Sequence, residues 1–374
     1  MRPDGAVISP AVAPADAAPA AARAMHYPKL DSVRCYAAFA VVFAHIFQIW
    51  TWSPTTEELF PLGNLGVIVF FVLSGFLITS LLLNESDDIP LRRSFKNFYM
   101  RRTLRIFPIY YLYLIVAFSI DLDGIGATGV WSWLYLTNLY FFWHNSWLLS
   151  NSHLWSLAVE EQFYLAWPFI VLLLRRRPRA LAAIFGAICA LALLARLHLL
   201  QSGYSGSPQI TVFTLCALDY LALGGLLALA QRRFGERIAG FGLPLLLGAA
   251  ALYWASAALM HAVPTTAPLF WTLGKFALGL IGVGAVLYSI HSRARTTPLH
   301  NPLTMHLGKI SYGIYLYHNP LVAYYKPILA LVGIDPGDSL AAKVLCCVVL
   351  VVLAAEISYA LIERPLLRLK ERFR

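Results

Sequence analysis

Charge is what this chain has least of. Asp, Glu, Lys and Arg together make up 13% of its 374 residues, while 59% are hydrophobic. An ordinary soluble domain carries about twice that charged share, so the soluble globular class is excluded. Alternation of apolar and polar residues is missing too, which argues against barrel strands. Cysteine is sparse: Cys35, Cys189, Cys216, Cys346 and Cys347 all fall in apolar runs. Their number is odd and their spacing is not that of metal ligands, so they read as small packing residues, and no metal site is expected. Acidic residues are the scarcer sign, 19 against 29 Lys and Arg, for a net charge of +10. In a soluble protein that balance would suggest nucleic acid. Here most of the basic residues sit in short clusters between apolar runs, so the expected partner is a lipid bilayer, with no nucleic acid.

What the chain does have is apolar runs of about 20 residues along almost its whole length, the mark of an all-α polytopic membrane protein. Spans are expected at about 33–51, 62–83, 106–122, 154–174, 180–200, 210–230, 239–260, 269–290, 309–331 and 340–362. The run from Val130 to Trp143 is shorter than the roughly 20 residues a crossing needs and is rich in Trp and Tyr. It is expected to be an outer-face interfacial or re-entrant segment. With that assignment the clusters around Arg92 to Arg105, Arg175 to Arg179, Arg232 to Arg237, Arg293 with Arg295, and Arg364 to Arg374 all face one side. The positive-inside rule then gives about ten transmembrane helices with both termini cytoplasmic. Residues 1–28 are rich in Ala and Pro and lack a continuous apolar core, so they are expected to form a disordered tail, not a cleaved signal peptide. Residues 29–366 form the membrane domain and 367–374 a basic cytoplasmic tail, with no soluble domain expected beyond it.

Three groups of residues can carry chemistry. In the first span, Arg34 and His45 are eleven residues apart, roughly 16 Å along a helix and at nearly the same azimuth, so both point from one face. Ionisable groups inside a bilayer usually face a protein interior or a water-filled cavity. His45 lies roughly 9 Å from the outer end of its span, and Glu160 and Glu161 are expected at a similar depth in the fourth. An imidazole level with a carboxylate makes a general base; the alternative is a buried ion pair that fixes helix packing. On the cytoplasmic side, Arg101, Arg102 and Arg105 directly precede the third span. Guanidinium forks suit phosphate recognition, although such clusters also set topology or touch anionic lipid. Asp219, Lys275 and Glu356 lie in or near spans without an assignable partner. Ser74 and Gly75 read as close-packing residues. His144 and His153 flank the outer segment without metal spacing.

The order LDSVRCYAAFAVVFAH, GVIVFFVLSGFLIT, FYMRRTLRIFPIYY, HLWSLAVEEQFYLAWP, ISYGIYLYHNPL and IERPL closely resembles the acyltransferase-3 family of integral-membrane O-acyltransferases, over about Leu30 to Leu366. The resemblance implies transfer of an acyl group, commonly acetyl, from cytoplasmic acyl-CoA to a hydroxyl of a carbohydrate such as a surface polysaccharide, in the bacterial inner membrane. It places His45 at the family's essential first-helix histidine and Arg34 at the arginine one helical face below. Arg102 and Arg105, with Arg101 beside them, fall on the motif associated with the CoA side, and Glu160 and Glu161 on the paired acids. His318 falls on a late motif near the middle of its span and is expected, with Tyr164, to line the acceptor's cavity; the alternative for it is a satisfied core histidine. Ser32 and Cys35 depart from the family's usual small residues without changing an ionisable group. The hydrolase-like C-terminal domain of some relatives is not expected here, so the membrane domain or a partner would handle the acceptor. His45 would deprotonate that hydroxyl or carry the acyl group transiently, with Glu160 or Glu161 orienting the imidazole or holding acceptor hydroxyls. The rival reading is a transporter of polysaccharide or lipid-linked sugar, which would call for repeat symmetry and broken helices near the midplane.

Overall fold

Backbone groups that meet no water in a bilayer must bond within their own segment, so runs of Leu, Val, Ala and Phe of this length fold as helices. A computed structural model describes residues 27–369 except 52, 148–149, 205–207, 293–296, 298–299, 336 and 338. The tail up to residue 26, Arg293, Arg295 and the basic end from Lys370 onward lie outside the described residues. The long helices are α1 (Lys29–Trp50), α2 (Leu62–Leu83), α3 (Leu91–Ser119), α4 (Leu154–Leu174), α5 (Pro178–Gln201), α6 (Thr214–Phe234), α7 (Gly242–Ala262), α8 (Lys275–His291), α9 (Ser311–Ala323) and α10 (Leu340–Ser358). Among the described residues the only extended pairing is a bridge between Thr297 and His300.

Among the described residues seven helical stretches are long and apolar enough to cross a membrane, or eight if one bent pair counts as a span. Three places account for the distance from the expected ten. First, α6 and α7 form one 49-residue apolar stretch, Thr214–Ala262, through a tight turn at Gly235–Phe241. That stretch doubles back. Arg232 near the end of α6 donates to the Leu83 carbonyl at the end of α2, while Tyr253 and Trp254 of α7 donate to Glu58 and Leu59 just before α2 begins. Gly235, with φ at +52°, takes the left-handed conformation that opens the turn. Second, α3 begins at Leu91, so the basic cluster rides on the same helix as the apolar run. It then bends by 106° into the segment Leu122–Trp133, the shape of a broken span or re-entrant loop. Third, the span expected at 309–331 is broken at Ile310 and Tyr324 into Pro302–Lys309, Ser311–Ala323 and Tyr325–Ala330. The 13 residues of α9 reach about 20 Å, short of the roughly 30 Å of hydrocarbon.

The segment from Val130 to Trp143 falls in two short helices, Gly129–Trp133 and Thr137–His144, neither long enough to cross alone. Gln162 of α4 ties it down, donating to the Tyr135 carbonyl at 3.1 Å and to Asn138 at 2.9 Å.

Two of the basic clusters expected on one side reach the same end of α2: Arg175 and Arg176 pair with Asp87, just beyond that helix, at 2.8 and 3.1 Å, and Arg232 bonds the carbonyl of its last residue, Leu83. Helix α2 is the centre of the bundle and packs on α1, α4, α6 and α8. Its approach to α6 is reciprocal: a Cβ on Gly75 would sit 2.0 Å from the Leu221 carbonyl oxygen, and one on Gly224 2.2 Å from that of Val72. Small residues let the backbones touch, as the sequence suggests for Gly75.

The carboxylate left unpaired by the sequence, Asp219, has a partner in α5: Arg196 Nη2 stands 2.7 Å from its Oδ1, and both side chains are fully buried. Removing one member of such a pair strands the other charge. Asp219→Ala is therefore expected to cost about 3–5 kcal/mol, read as a lowered thermal midpoint of the purified protein in detergent. Asp219→Ala combined with Arg196→Leu should recover much of that loss.

Candidate active site

A cavity of about 90 Å³ opens among α1, α2, α3, α4 and α9, lined by Arg34, Arg102, Arg105, Ser74, Glu160, Glu161 and Tyr164 and walled by Phe70, Ser156, Tyr312 and Tyr315. Arg102 and Arg105 share it because three residues bring helical side chains back to one face. Arg101, one step earlier, points about 100° away. Its Nε donates to the Asn97 carbonyl at 3.1 Å, and it does not line the cavity. The Arg102 guanidinium lies 5.1 Å over the Tyr164 ring and 5.8 Å over Phe98. Arg34 is held by Asp31 one turn earlier, at 2.6 Å. Arg102 and Arg105 make no hydrogen bond or ion pair among the described residues, so their forked donors face the cavity unspent.

Opposite them, Glu160 and Tyr164 are four residues apart and hydrogen-bonded to each other, with the Ser74 hydroxyl bonded to both, at 3.1 Å from the Tyr164 oxygen. Ser74 is thus more than the packing residue the sequence suggests. Its position one step from Gly75, at the closest helix approach, brings it to the carboxylate.

His45 lies elsewhere. Its half-buried ring sits 4.9 Å from that of His318, which is 5.2 Å from His153, all edge to face. Each ring has one nitrogen on a backbone carbonyl: His45 Nδ1 to Val41 at 3.0 Å, His318 Nδ1 to Tyr315 at 2.5 Å, His153 Nε2 to Leu316 at 2.9 Å. A carbonyl only accepts, so those nitrogens carry the protons and the other nitrogen of each neutral ring keeps a lone pair. His45 Nε2 has no hydrogen bond among the described residues.

The carboxylates expected level with His45 are not its neighbours: neither Glu160 nor Glu161 bonds the imidazole, and Glu160 is engaged by Ser74 and Tyr164. The reason is the depth at which α4 begins. His153, just before α4, is already buried. Ser150 and Tyr324 both bond Asp123 there, and Asn151 joins Tyr113 at 2.7 Å to the Leu122 carbonyl at 3.0 Å. The start of α4, not its first turns, is at the level of the imidazoles. Glu160 is seven residues, about 10 Å, farther along.

Tyr315 joins the two groups. On one side it lines the arginine cavity; on the other its ring lies 5.4 Å from His318 and 5.9 Å from His153. Its hydroxyl is 2.5 Å from that of Ser156, and Phe70 meets it edge-on at 5.8 Å. Sequence reasoning passed over Ser156 and Tyr315 and weighed His153 only as a metal ligand. Tyr315 stands three residues before His318 on one helical face, which was the available signal.

Among the described residues no three His, Cys, Asp or Glu side chains are placed to hold a metal ion. Lys275 lies 4.9 Å over Trp271, and Glu356 pairs with His306 at 2.5 Å, so both have partners away from the cavity. His144 stacks on Tyr140 and is exposed.

A family model described as an acyltransferase domain, Acyl_transf_3, matches residues 27–359. YrhL of Bacillus subtilis, provisionally named a peptidoglycan O-acetyltransferase, is 29% identical over 91% of this chain and 55% of that protein. The peptidoglycan O-acetyltransferase OatA of Listeria monocytogenes is 26% identical over 91% of this chain and 56% of its own length. A Staphylococcus aureus protein provisionally named an O-acetyltransferase is 25% identical, covering 91% and 57%. The chain thus spans a little over half the length of these relatives. No solved structure gives a significant match.

Proposed function

Because the chain belongs to the acyltransferase-3 family, whose model covers 27–359, we propose that it is a membrane O-acyltransferase moving an acyl group, acetyl foremost, from acyl-CoA to a carbohydrate hydroxyl at the cell surface. The observation that carries this is a juxtaposition across one side chain. Two unspent guanidinium forks, Arg102 and Arg105, share a cavity whose far wall, Tyr315, backs onto the cluster containing His45. Forked guanidiniums fit the phosphates of a coenzyme A, with Arg34 in the same cavity. The acceptor hydroxyl gives its proton to His45 Nε2 as its oxygen bonds the acyl carbon, and the carbon–sulfur bond breaks. The proton then passes to the departing thiolate, so the products are the ester and free coenzyme. Glu160, Ser74 and Tyr164 form a polar lining in the cavity that the pantetheine arm crosses. The names of the relatives, two of them peptidoglycan O-acetyltransferases, favour a carbohydrate acceptor, and the apolar helices favour a membrane as the place of the reaction, which we take to be the bacterial inner membrane.

The test is mass spectrometry of surface glycans from the host strain with and without this gene. Loss of one acyl mass from a glycan supports the reading and names the acceptor. Normal acylation with accumulated unexported glycan would overturn it in favour of transport.

A further inference from the structure

A base that removes a proton inside a membrane becomes a cation there, and an unpaired cation in that setting is costly. The usual remedy is a carboxylate beside the imidazole. Among the described residues no carboxylate bonds any of the three rings; besides one another they meet Tyr113, Tyr315 and Asn319. What His45 does have beside it is His318, fully buried, whose Nδ1 is fixed on the Tyr315 carbonyl. That bond leaves Nε2 as a lone pair, and among the described residues this atom is buried without a hydrogen-bond partner. An orphaned acceptor of this kind costs stability in the resting protein, which calls for a state in which it is satisfied.

We infer that His318 is a positioning residue for the acyl transfer: its Nε2 accepts from the His45 imidazolium and holds the proton in place until the thiolate takes it. His153 backs the second ring, its own proton directed away onto the Leu316 carbonyl. The cluster is thus three neutral rings with one excess proton to share during turnover. This moves His318 from the acceptor-lining role its motif suggests to the proton side of the reaction. The inference rests on the proposed acyltransferase reading and adds a second residue to its chemistry.

The experiment measures acyl transfer by the purified full-length protein in detergent or nanodiscs for His318→Leu and His318→Gln. Glutamine keeps an acceptor oxygen near the place of Nε2; leucine keeps volume alone. His318→Leu should lower kcat about 100-fold, in the range of a lost proton-handling group, with KM for acyl-CoA and acceptor within about twofold of wild type. His318→Gln should stay within about tenfold of wild-type kcat, and both variants should melt near the wild-type temperature. If His318→Leu fails to insert, His318→Met is read in its place. A normal kcat in the leucine variant, equal losses in leucine and glutamine variants, or a loss that tracks a lowered melting temperature would overturn the inference. The parent reading fails separately, if His45→Ala keeps transferring acyl groups.

Discussion

His45→Ala is expected to lower acyl transfer by about 10³-fold or more while the protein still inserts and purifies at wild-type levels. The imidazole makes one intrahelical bond, to the Val41 carbonyl, and its other nitrogen bonds nothing among the described residues. A structural histidine has both nitrogens engaged, so removing this one breaks little that holds the bundle together. The neighbouring ring of His318 would lose an edge-to-face contact, an effect of about 1 kcal/mol. Activity and stability should therefore separate: acyl transfer falls to background, and the thermal midpoint moves by a few degrees at most. The check pairs labelled acetyl transfer from acetyl-CoA with a melt of the same preparation. Retained transfer would remove His45 from the chemistry, and a collapse in expression would return it to packing.

Part of the site was legible along single helices. The three-residue interval from Arg102 to Arg105 is a local periodicity, and both side chains line the cavity as the helix repeat requires; of Arg34 and His45, expected on one face, Arg34 lines the cavity and His45 sits against His318. Apolar length likewise read correctly wherever one run makes one helix. What failed depends on how helices are staggered against one another, which no local pattern records. Glu160 looked level with His45 because both were counted from the ends of their own apolar runs, yet α4 starts below the surface under a cap built from Asp123, Asn151 and Tyr324. For the same reason His153 looked like a loop residue beside the outer segment, although it is buried against His318. The broken span around α9 was hidden because Ile310 and Tyr324, where the helix interrupts, are apolar enough to pass as span interior. Arg196 and Asp219 illustrate the limit most simply: neither residue's neighbours in sequence name the other, and only the packing of α5 on α6 pairs them.

The second large effect should fall on the coenzyme. Arg102→Gln with Arg105→Gln is expected to raise KM for acyl-CoA by about 100-fold or more, since a hydrogen bond to a charged group contributes about 1.5–3 kcal/mol and each 1.4 kcal/mol is tenfold. The turnover number at saturating acyl-CoA should stay within a few-fold of wild type, because the guanidiniums lie in the cavity and not among the imidazoles. Lysine at both positions retains charge but not the planar fork, so Arg102→Lys with Arg105→Lys should give an intermediate KM. Coenzyme lacking its 3′-phosphate supplies the matching loss on the ligand side. If the arginines hold that phosphate, the truncated coenzyme will bind wild type more weakly and the glutamine variant no more weakly than the intact one does. Arg101 gives the contrast, since its guanidinium bonds the Asn97 carbonyl outside the cavity: Arg101→Gln should leave KM for acyl-CoA within about twofold of wild type. Equal losses at all three positions would mean that the cluster acts through membrane topology or anionic lipid, and the cavity would then need another occupant.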